Sequence, residues 1–160
     1  MTIAVGDKIP SVTVQRKTAD GIDQVSTDDF FPGRKVVLFA VPGAFTPTCS
    51  QKHLPGFVAN ADAIKAKGVD EIACVSVNDA FVMDAWGAGH GTEGKVTMLA
   101  DGSAKLAQAL GLDLDLVERG LGTRSQRYAM VVDDGTVTLL NVEDSGQFEA
   151  SKAETILAAL

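Results

Sequence analysis

Cysteine is scarce in this sequence, which contains only 2 among 160 residues. Two cysteines cannot build a disulfide framework, so a hydrophobic core must hold the fold together. Hydrophobic residues make up 46% of the chain, which suits a globular protein and argues against disorder. The length is that of about one domain, and we expect residues 1–160 to form a single domain.

Positive charge is also in short supply, because 14 basic residues face 21 acidic ones and the net charge is -7. Such a surface does not attract nucleic-acid phosphates or anionic lipids, so we expect neither nucleic acid nor membrane as a partner. No apolar run approaches membrane-spanning length, and residues 1–7 lack the segments of a signal peptide. A single thiol that carries out chemistry needs a compartment in which it can be reduced again, so we expect the protein to be cytoplasmic.

Motifs for metals and cofactors are missing as well. The residues Cys49, His53, Cys74 and His90 do not have the spacing of a zinc finger. The alternating glycines of residues 87–91 follow a predicted helix instead of opening one, so they do not form a phosphate-binding loop. There is no hydride or flavin motif either, and we expect no metal and no cofactor.

The sequence does contain an apolar run, residues 36–41, which predicts a buried central strand. After the loop that follows it, apolar residues recur on one helical face at Leu54, Phe57, Val58, Ala61 and Ile64. Cys49 should therefore lie in the first turn of a helix at the carboxyl edge of a sheet, with Thr46 as N-cap and Pro47 at the first position. Backbone N–H groups and the helix dipole favour a thiolate there.

The rest of the pattern predicts an α/β protein. Residues 72–77 should be a second buried strand, residues 133–135 a hairpin turn, and residues 151–154 a capping box that opens a final helix. Pro55 should kink the helix of Cys49, and residues 112–126 should be a glycine-rich connection. This order is that of a thioredoxin-like fold with an N-terminal β extension and a central mixed sheet flanked by helices.

The loop before the first long helix carries a specific motif. The pattern Pro42-x-x-x-Thr46-x-x-Cys49 resembles the active-site signature of the peroxiredoxins. Residues 42–50 (PGAFTPTCS), followed by residues 53–57 (HLPGF), are similar to the type II branch of that family. Further similar blocks are VSVND at 75–79, GLGTRS at 120–125 and RY at 127–128. The resemblance covers nearly the whole chain.

The resemblance implies a thiol-dependent peroxidase that reduces hydrogen peroxide and alkyl hydroperoxides, with a role in antioxidant defence and cell redox homeostasis. In such an enzyme the Cys49 thiolate becomes a sulfenic acid, which glutathione with glutaredoxin, or thioredoxin, reduces again. It also implies a homodimer. The surface around Phe45, Thr48 and Phe81 is our candidate for its interface.

Four residues form the expected catalytic set: Cys49, Thr46, Arg127 and Pro42. The Thr46 hydroxyl should bond both the thiolate and the peroxide. By resemblance, Arg127 is the catalytic cation because it directly precedes the aromatic residue of its strand, and Arg124 is the reserve candidate. Pro42 should shield the thiolate from water.

The expected supporting or substrate-binding residues are Gly43, Phe45, His53 and Arg124. His53 lies four residues after Cys49 and on the same helical face, although a surface or interface histidine is the simpler interpretation. Cys74 is a possible resolving cysteine. Its place in an apolar strand, roughly 13 Å below the sheet edge, favours a core role, because a bond to Cys49 would require local unfolding.

Two other functions stay open from the residues alone. A thioredoxin-like order suits thiol–disulfide exchange, but Thr46 stands where the first cysteine of a Cys-x-x-Cys motif would be. A redox-sensing protein would use the same oxidation of Cys49 without efficient peroxidase turnover. Rapid cycling with a thiol reductant would distinguish a peroxidase from both.

Overall fold

The protein is described by a computed structural model that covers residues 1–160. Its strands are β1 (Thr13–Thr18), β2 (Gly21–Ser26), β3 (Lys35–Ala40), β4 (Glu71–Ser76), β5 (Thr97–Ala100), β6 (Asp113–Leu116), β7 (Gly122–Ser125), β8 (Tyr128–Asp133) and β9 (Thr136–Val142). Its α-helices are α1 (Thr27–Phe30), α2 (Leu54–Ala59), α3 (Ala61–Lys65), α4 (Ala80–Gly89), α5 (Lys105–Leu110) and α6 (Ala153–Ala159). A π-helical turn (Cys49–His53) precedes α2, and a 3-10 turn (Val117–Arg119) follows β6.

Seven strands form one mixed sheet in the order β2-β1-β5-β4-β3-β8-β9. Strands β3, β4 and β5 are parallel, whereas β8 pairs antiparallel with β3 and β1 pairs antiparallel with β5. The N-terminal hairpin β1–β2 extends one edge of the sheet, and the hairpin β8–β9 forms the other edge. The predicted thioredoxin-like fold with an N-terminal β extension is confirmed.

Strand β3 is buried on both faces, as its continuous apolar sequence predicts. Val37 and Phe39 belong to the core that the sheet shares with α2, α3, α4 and α6. Val36 and Leu38 point the other way, into the core that includes residues of α5. A parallel strand covered on both sides needs such a sequence. The carboxyl end of β3 is therefore held firmly, and the loop with the cysteine motif starts from it.

Two local predictions were wrong. Residues 112–126 are not simply a glycine-rich connection, because they include a separate two-stranded sheet of β6 and β7. Ser151 does not cap the last helix, which starts at Ala153 without a side-chain cap. Its hydroxyl donates instead to the carboxylate of Glu143 at 2.7 Å, a charged acceptor that competes successfully with the backbone.

The predicted turn between β8 and β9 is confirmed. Asp134 and Gly135 have φ angles of 50° and 81°, the two left-handed positions that this hairpin connection requires. Elsewhere, none of the helices has both the length and the apolar character needed to cross a membrane.

Candidate active site

Cys49 lies where the sequence predicts it, at the start of the helix that follows β3. The helix begins at Pro47 and passes into the π-helical turn, in which the Leu54 N–H donates to the Cys49 carbonyl oxygen. The Cys49 side chain is fully buried. The wide turn ends two residues before Pro55, whose ring does not fit a regular helix interior, and such turns occur often at functional sites.

The Thr46 side chain does not cap the helix as predicted. The backbone carbonyl oxygen of Thr46 accepts a hydrogen bond from the Ser50 N–H at 2.9 Å, as in an N-cap residue. The Thr46 hydroxyl, however, donates to the Gly43 carbonyl oxygen at 2.6 Å. The loop is also tied to the start of α4, because the Ala44 N–H donates to the side-chain oxygen of Asn78 at 3.0 Å. Side chains and backbone together fix the loop beside Cys49.

Arg127 reaches the Cys49 sulfur. Its Nη2 donates to the Sγ atom of Cys49 at 3.1 Å. Arg127 directly precedes β8, and Tyr128 at the start of that strand pairs with Ala40 at the end of β3. The strand pairing therefore places the arginine at the same sheet edge as the cysteine loop. A permanently charged donor at this distance gives the sulfur a charge-assisted hydrogen bond.

Arg124, the reserve candidate, contacts the loop backbone. Its Nη1 donates to the Pro42 carbonyl oxygen at 3.4 Å, and its Nε donates to the Leu121 carbonyl oxygen at 2.9 Å. A Cβ atom at Gly43 would lie 3.0 Å from Nη1 of Arg124 and 3.1 Å from the methyl group of Thr46. The loop thus packs tightly enough to favour glycine at this position, and Arg124 supports it from outside.

His53 is buried, contrary to the expectation of a surface or interface histidine. Its Nδ1 lies 2.9 Å from Nη1 of Arg127, and its Nε2 lies 3.0 Å from the Ser151 carbonyl oxygen. Three aromatic rings surround the imidazole with centroids between 5.0 and 5.6 Å away: Phe39, Phe57 and Phe148. Burial, and then the positive charge of Arg127, lowers the pKa of His53 to about 3. The ring is therefore neutral at ordinary pH.

Glu143 anchors the segment that contacts His53. Its Oε2 accepts hydrogen bonds from the Ser151 N–H, the Ser151 hydroxyl and the Glu149 N–H at 2.7 to 2.8 Å. Desolvation raises the pKa of Glu143, but these bonds and one from the Ala150 N–H outweigh it, so the net pKa is lowered. The carboxylate is therefore ionised and holds Ser151 in place.

A cleft of about 520 Å³ lies next to Cys49. Its walls include Pro42, Thr48, Lys52, Arg127 and Phe148. The cleft reaches Arg127, whose guanidinium contacts the buried sulfur of Cys49. No group of three or more His, Cys, Asp or Glu side chains is arranged to hold a metal ion.

Comparisons with known proteins agree with this geometry. Residues 4–157 match the Redoxin family. The chain is 51% identical to Peroxiredoxin-2B of Arabidopsis thaliana, over 99% of this chain and 98% of that one. The chain belongs to the type II peroxiredoxins. It is also 56% identical to the chloroplastic Peroxiredoxin-2E-2 of Oryza sativa subsp. japonica, over 99% of this chain and 73% of that one.

A solved structure is similar over the whole length. It is the reduced Prx3 of Vibrio vulnificus in complex with hydrogen peroxide, with a TM-score of 0.96, 56% identity and 99% of each chain covered. Our chain is thus a thiol-dependent peroxidase, an oxidoreductase that acts on peroxides and is regenerated by a thiol reductant.

The second cysteine of this peroxiredoxin lies in the core. Cys74 pairs with Phe39 across β3 and β4, is fully buried and, like Cys49, is a free thiol. Burial, and then the charge of Cys49, raises the pKa of the Cys74 thiol well above its usual value. A thiol that stays protonated is a poor nucleophile, so the folded peroxiredoxin does not present Cys74 as an attacking group.

Phe45 is the one predicted site residue whose side chain is exposed. It is 62% exposed, and its ring centroid lies 6.5 Å from that of Trp86. Sequence reasoning also missed two contributors to the peroxiredoxin site, Glu143 and the carbonyl group of Ser151. Neither residue carries a local signal, because the contact between His53 and Ser151 joins positions 98 residues apart.

Proposed function

We propose that Cys49 is the residue that attacks the peroxide. The observation that carries this assignment is the 3.1 Å hydrogen bond from Arg127 to the Cys49 sulfur, at the start of a helix. Both the guanidinium and the free backbone N–H groups of the first turn favour a thiolate. Cys74 has no comparable surroundings.

In the proposed reaction the Cys49 thiolate attacks the terminal oxygen of the hydroperoxide, and the O–O bond breaks as the S–O bond forms. The sulfur is oxidised to a sulfenic acid and the peroxide is reduced to water or an alcohol, whose oxygen takes up a proton. Arg127 faces both the sulfur and the cleft, so it is placed to stabilise the negative charge that develops on the departing oxygen.

Thr46 and Pro42 have complementary roles in this proposal. The only hydroxyl proton of Thr46 is donated to Gly43, so the oxygen offers its lone pairs to the O–H of an incoming peroxide. The Thr46 hydroxyl oxygen is therefore the hydrogen-bond acceptor that orients the peroxide. Pro42 forms part of the cleft wall beside the sulfur and limits the approach of bulk water.

We propose that an external thiol, glutathione with glutaredoxin, reduces the sulfenic acid. The raised pKa of Cys74 and its place in β4 argue against an internal partner. Such a cycle needs a reducing compartment, and the cytoplasm is our proposal. A steady-state peroxidase assay tests the reductant by comparing glutathione plus glutaredoxin with thioredoxin. Faster turnover with glutaredoxin supports the proposal, and turnover with thioredoxin alone would overturn it.

We also propose that the protein is a homodimer. Phe45 and Phe81 are 62% and 64% exposed, and the loop of Phe45 is tied to the start of α4, which carries Phe81. Exposed aromatic residues beside a catalytic loop are suitable anchors for an interface. Sedimentation should show a dimer at micromolar concentration and a monomer for Phe81→Glu. A monomeric wild type would contradict the proposal.

A redox sensor would carry out the same first step. The two functions differ after that step, since a sensor stays oxidised after one turnover whereas a peroxidase cycles rapidly with thiol reductant. The open cleft beside Cys49 favours repeated access by peroxide and reductant.

A further inference from the structure

We propose that His53 is a positioning residue, a neutral hydrogen-bond acceptor that aims the guanidinium of Arg127 at the Cys49 sulfur. This inference rests on the proposed role of Cys49 and Arg127. It assigns to His53 neither proton transfer nor contact with the peroxide.

The two contacts of the imidazole fix which nitrogen carries the proton. Nε2 faces the Ser151 carbonyl oxygen at 3.0 Å, and a carbonyl oxygen can only accept a hydrogen bond. Nε2 must therefore be protonated and donate. Nδ1 is then unprotonated and accepts from Nη1 of Arg127 at 2.9 Å, because a guanidinium can only donate.

The surroundings keep the ring in this neutral form. The three rings packed against the imidazole, those of Phe39, Phe57 and Phe148, are apolar. The charged groups that act on the ring are Arg127, which opposes a proton on it, and Glu143, which favours one. Burial and Arg127 prevail, so an imidazolium that would repel the guanidinium does not form near neutral pH.

The support continues beyond the histidine to Glu143. Its carboxylate accepts hydrogen bonds from both the N–H and the hydroxyl of Ser151, and the Ser151 carbonyl oxygen in turn accepts a hydrogen bond from Nε2 of His53. A continuous chain of hydrogen bonds therefore runs from Glu143 through Ser151, His53 and Arg127 to Cys49.

Arg127 needs such support because its side chain is long and flexible. An unsupported arginine samples many rotamers, and ordering it costs side-chain entropy. The hydrogen bond from Nη1 to His53 leaves Nη2 directed at the sulfur, so the histidine holds the orientation that the thiolate requires. A preorganised donor is more effective than one that must be ordered during the reaction.

Three substitutions separate this role from packing. The Oδ1 atom of asparagine takes about the place of the histidine Nδ1, whereas the Nε2 atom of glutamine takes about the place of the histidine Nε2. His53→Asn thus keeps the acceptor for Arg127, His53→Gln keeps the donor for Ser151, and His53→Leu keeps neither. His90→Leu, at a ring packed on Trp86 outside the site, is the matched control.

The measurements are the second-order rate constant of the reduced protein with hydrogen peroxide and the thiolate absorbance at neutral pH. We expect His53→Gln and His53→Leu to lose about 10- to 100-fold in rate, since a preorganised donor is misdirected. His53→Asn should recover most of this loss, and His90→Leu should react like wild type. Thiolate absorbance should fall in the slow variants only.

A double-mutant cycle keeps the test decisive if a variant is also less stable. In the background of Arg127→Ala, replacing His53 by Gln or Leu should change the rate by less than about 2-fold, because the group that it positions is gone. Additive losses, or equal rates for His53→Asn and His53→Gln, would overturn the inference. A wild type that does not react through Cys49 would instead overturn the proposed function.

Discussion

Cys49 and Cys74 lie in the same hydrophobic core, and both side chains are fully buried. Cys49 occupies a π-helical turn and receives a hydrogen bond from a guanidinium at 3.1 Å. Cys74 occupies the middle of a parallel strand, with β3 on one side and β5 on the other. Burial alone therefore does not set the reactivity of a thiol, since one of these receives a hydrogen bond from a charged donor and the other does not.

The contrast extends to how the two regions are built. The Cys49 region brings together residues from the loop after β3, from the start of β8 and from the segment before α6. The Cys74 region consists of neighbouring apolar strands. The surroundings of Cys49 therefore depend on contacts between distant parts of the chain. The surroundings of Cys74 depend only on the apolar pattern of the strands.

The strongest test of the contrast is Cys49→Ser. Serine is nearly isosteric but forms no comparable nucleophile, so peroxide turnover should be abolished while the fold stays intact. A steady-state peroxidase assay with circular dichroism as the folding control measures this. Appreciable peroxide consumption by the variant would refute the assignment.

The next test removes the charged donor. Arg127→Ala should lower the rate of reaction with peroxide by about 100-fold or more, the scale seen when one preorganised donor is lost. Arg124→Ala is the matched control and should lose less, because Arg124 contacts only loop carbonyls. Stopped-flow rate constants compare the two, and the reverse ranking would show that the wrong arginine was chosen.

Cys74→Ala should have little effect on turnover. Alanine avoids the unpaired hydroxyl that serine would bury, and the smaller side chain should lower the free energy of unfolding by about 1 kcal/mol. The glutathione–glutaredoxin assay and chemical denaturation measure the two effects. A large loss of turnover, together with an internal disulfide in the oxidised wild type, would make Cys74 a resolving cysteine.

The last expected effect is on stability: the Cys49 region should make the free energy of unfolding depend on pH. The pKa of His53 is about 3 when folded against an ordinary value of 6.5, so between these pH values the unfolded chain binds the extra proton. The free energy of unfolding should thus fall as pH falls through this window, by up to about 1.4 kcal/mol per pH unit. The lowered pKa of Glu143 acts in the same direction at more acidic pH.

Denaturation curves for wild type and His53→Asn between neutral and mildly acidic pH measure this contribution. The variant should lose stability less steeply. If the stability of both proteins falls equally with pH, His53 is protonated in the folded protein, and the assignment of a neutral imidazole is wrong.

Local pattern predicted the parts of the site that depend on neighbouring residues. The apolar run before the loop and Pro47 at the helix start placed Cys49 at a sheet edge, whereas the resemblance to the peroxiredoxins selected Arg127. The pairing of β8 with β3 brings Arg127 to the same edge. The hydroxyl of Thr46 was assigned to the helix by the same reasoning, but in the folded loop it donates to the carbonyl oxygen of Gly43. Propensity alone does not choose between such competing partners.

The surroundings of His53 lay beyond the reach of sequence. Its two hydrogen-bond partners are 74 and 98 residues away along the chain, so nothing in its helical spacing marks it as buried. The hairpin β6–β7 was missed for a different reason. Each of its strands has only four residues. In β6 the exposed positions alternate with half-buried ones, and so short an alternation between glycines is a weak signal for a strand.

The most direct test of the account is the site of first oxidation in the folded wild type. The reduced protein is treated with one equivalent of hydrogen peroxide in the presence of a diketone that traps sulfenic acids, and its peptides are analysed by mass spectrometry. The account predicts the adduct on the peptide of Cys49 and none on that of Cys74. An adduct on Cys74, or a Cys49–Cys74 disulfide formed before any reductant is added, would contradict it.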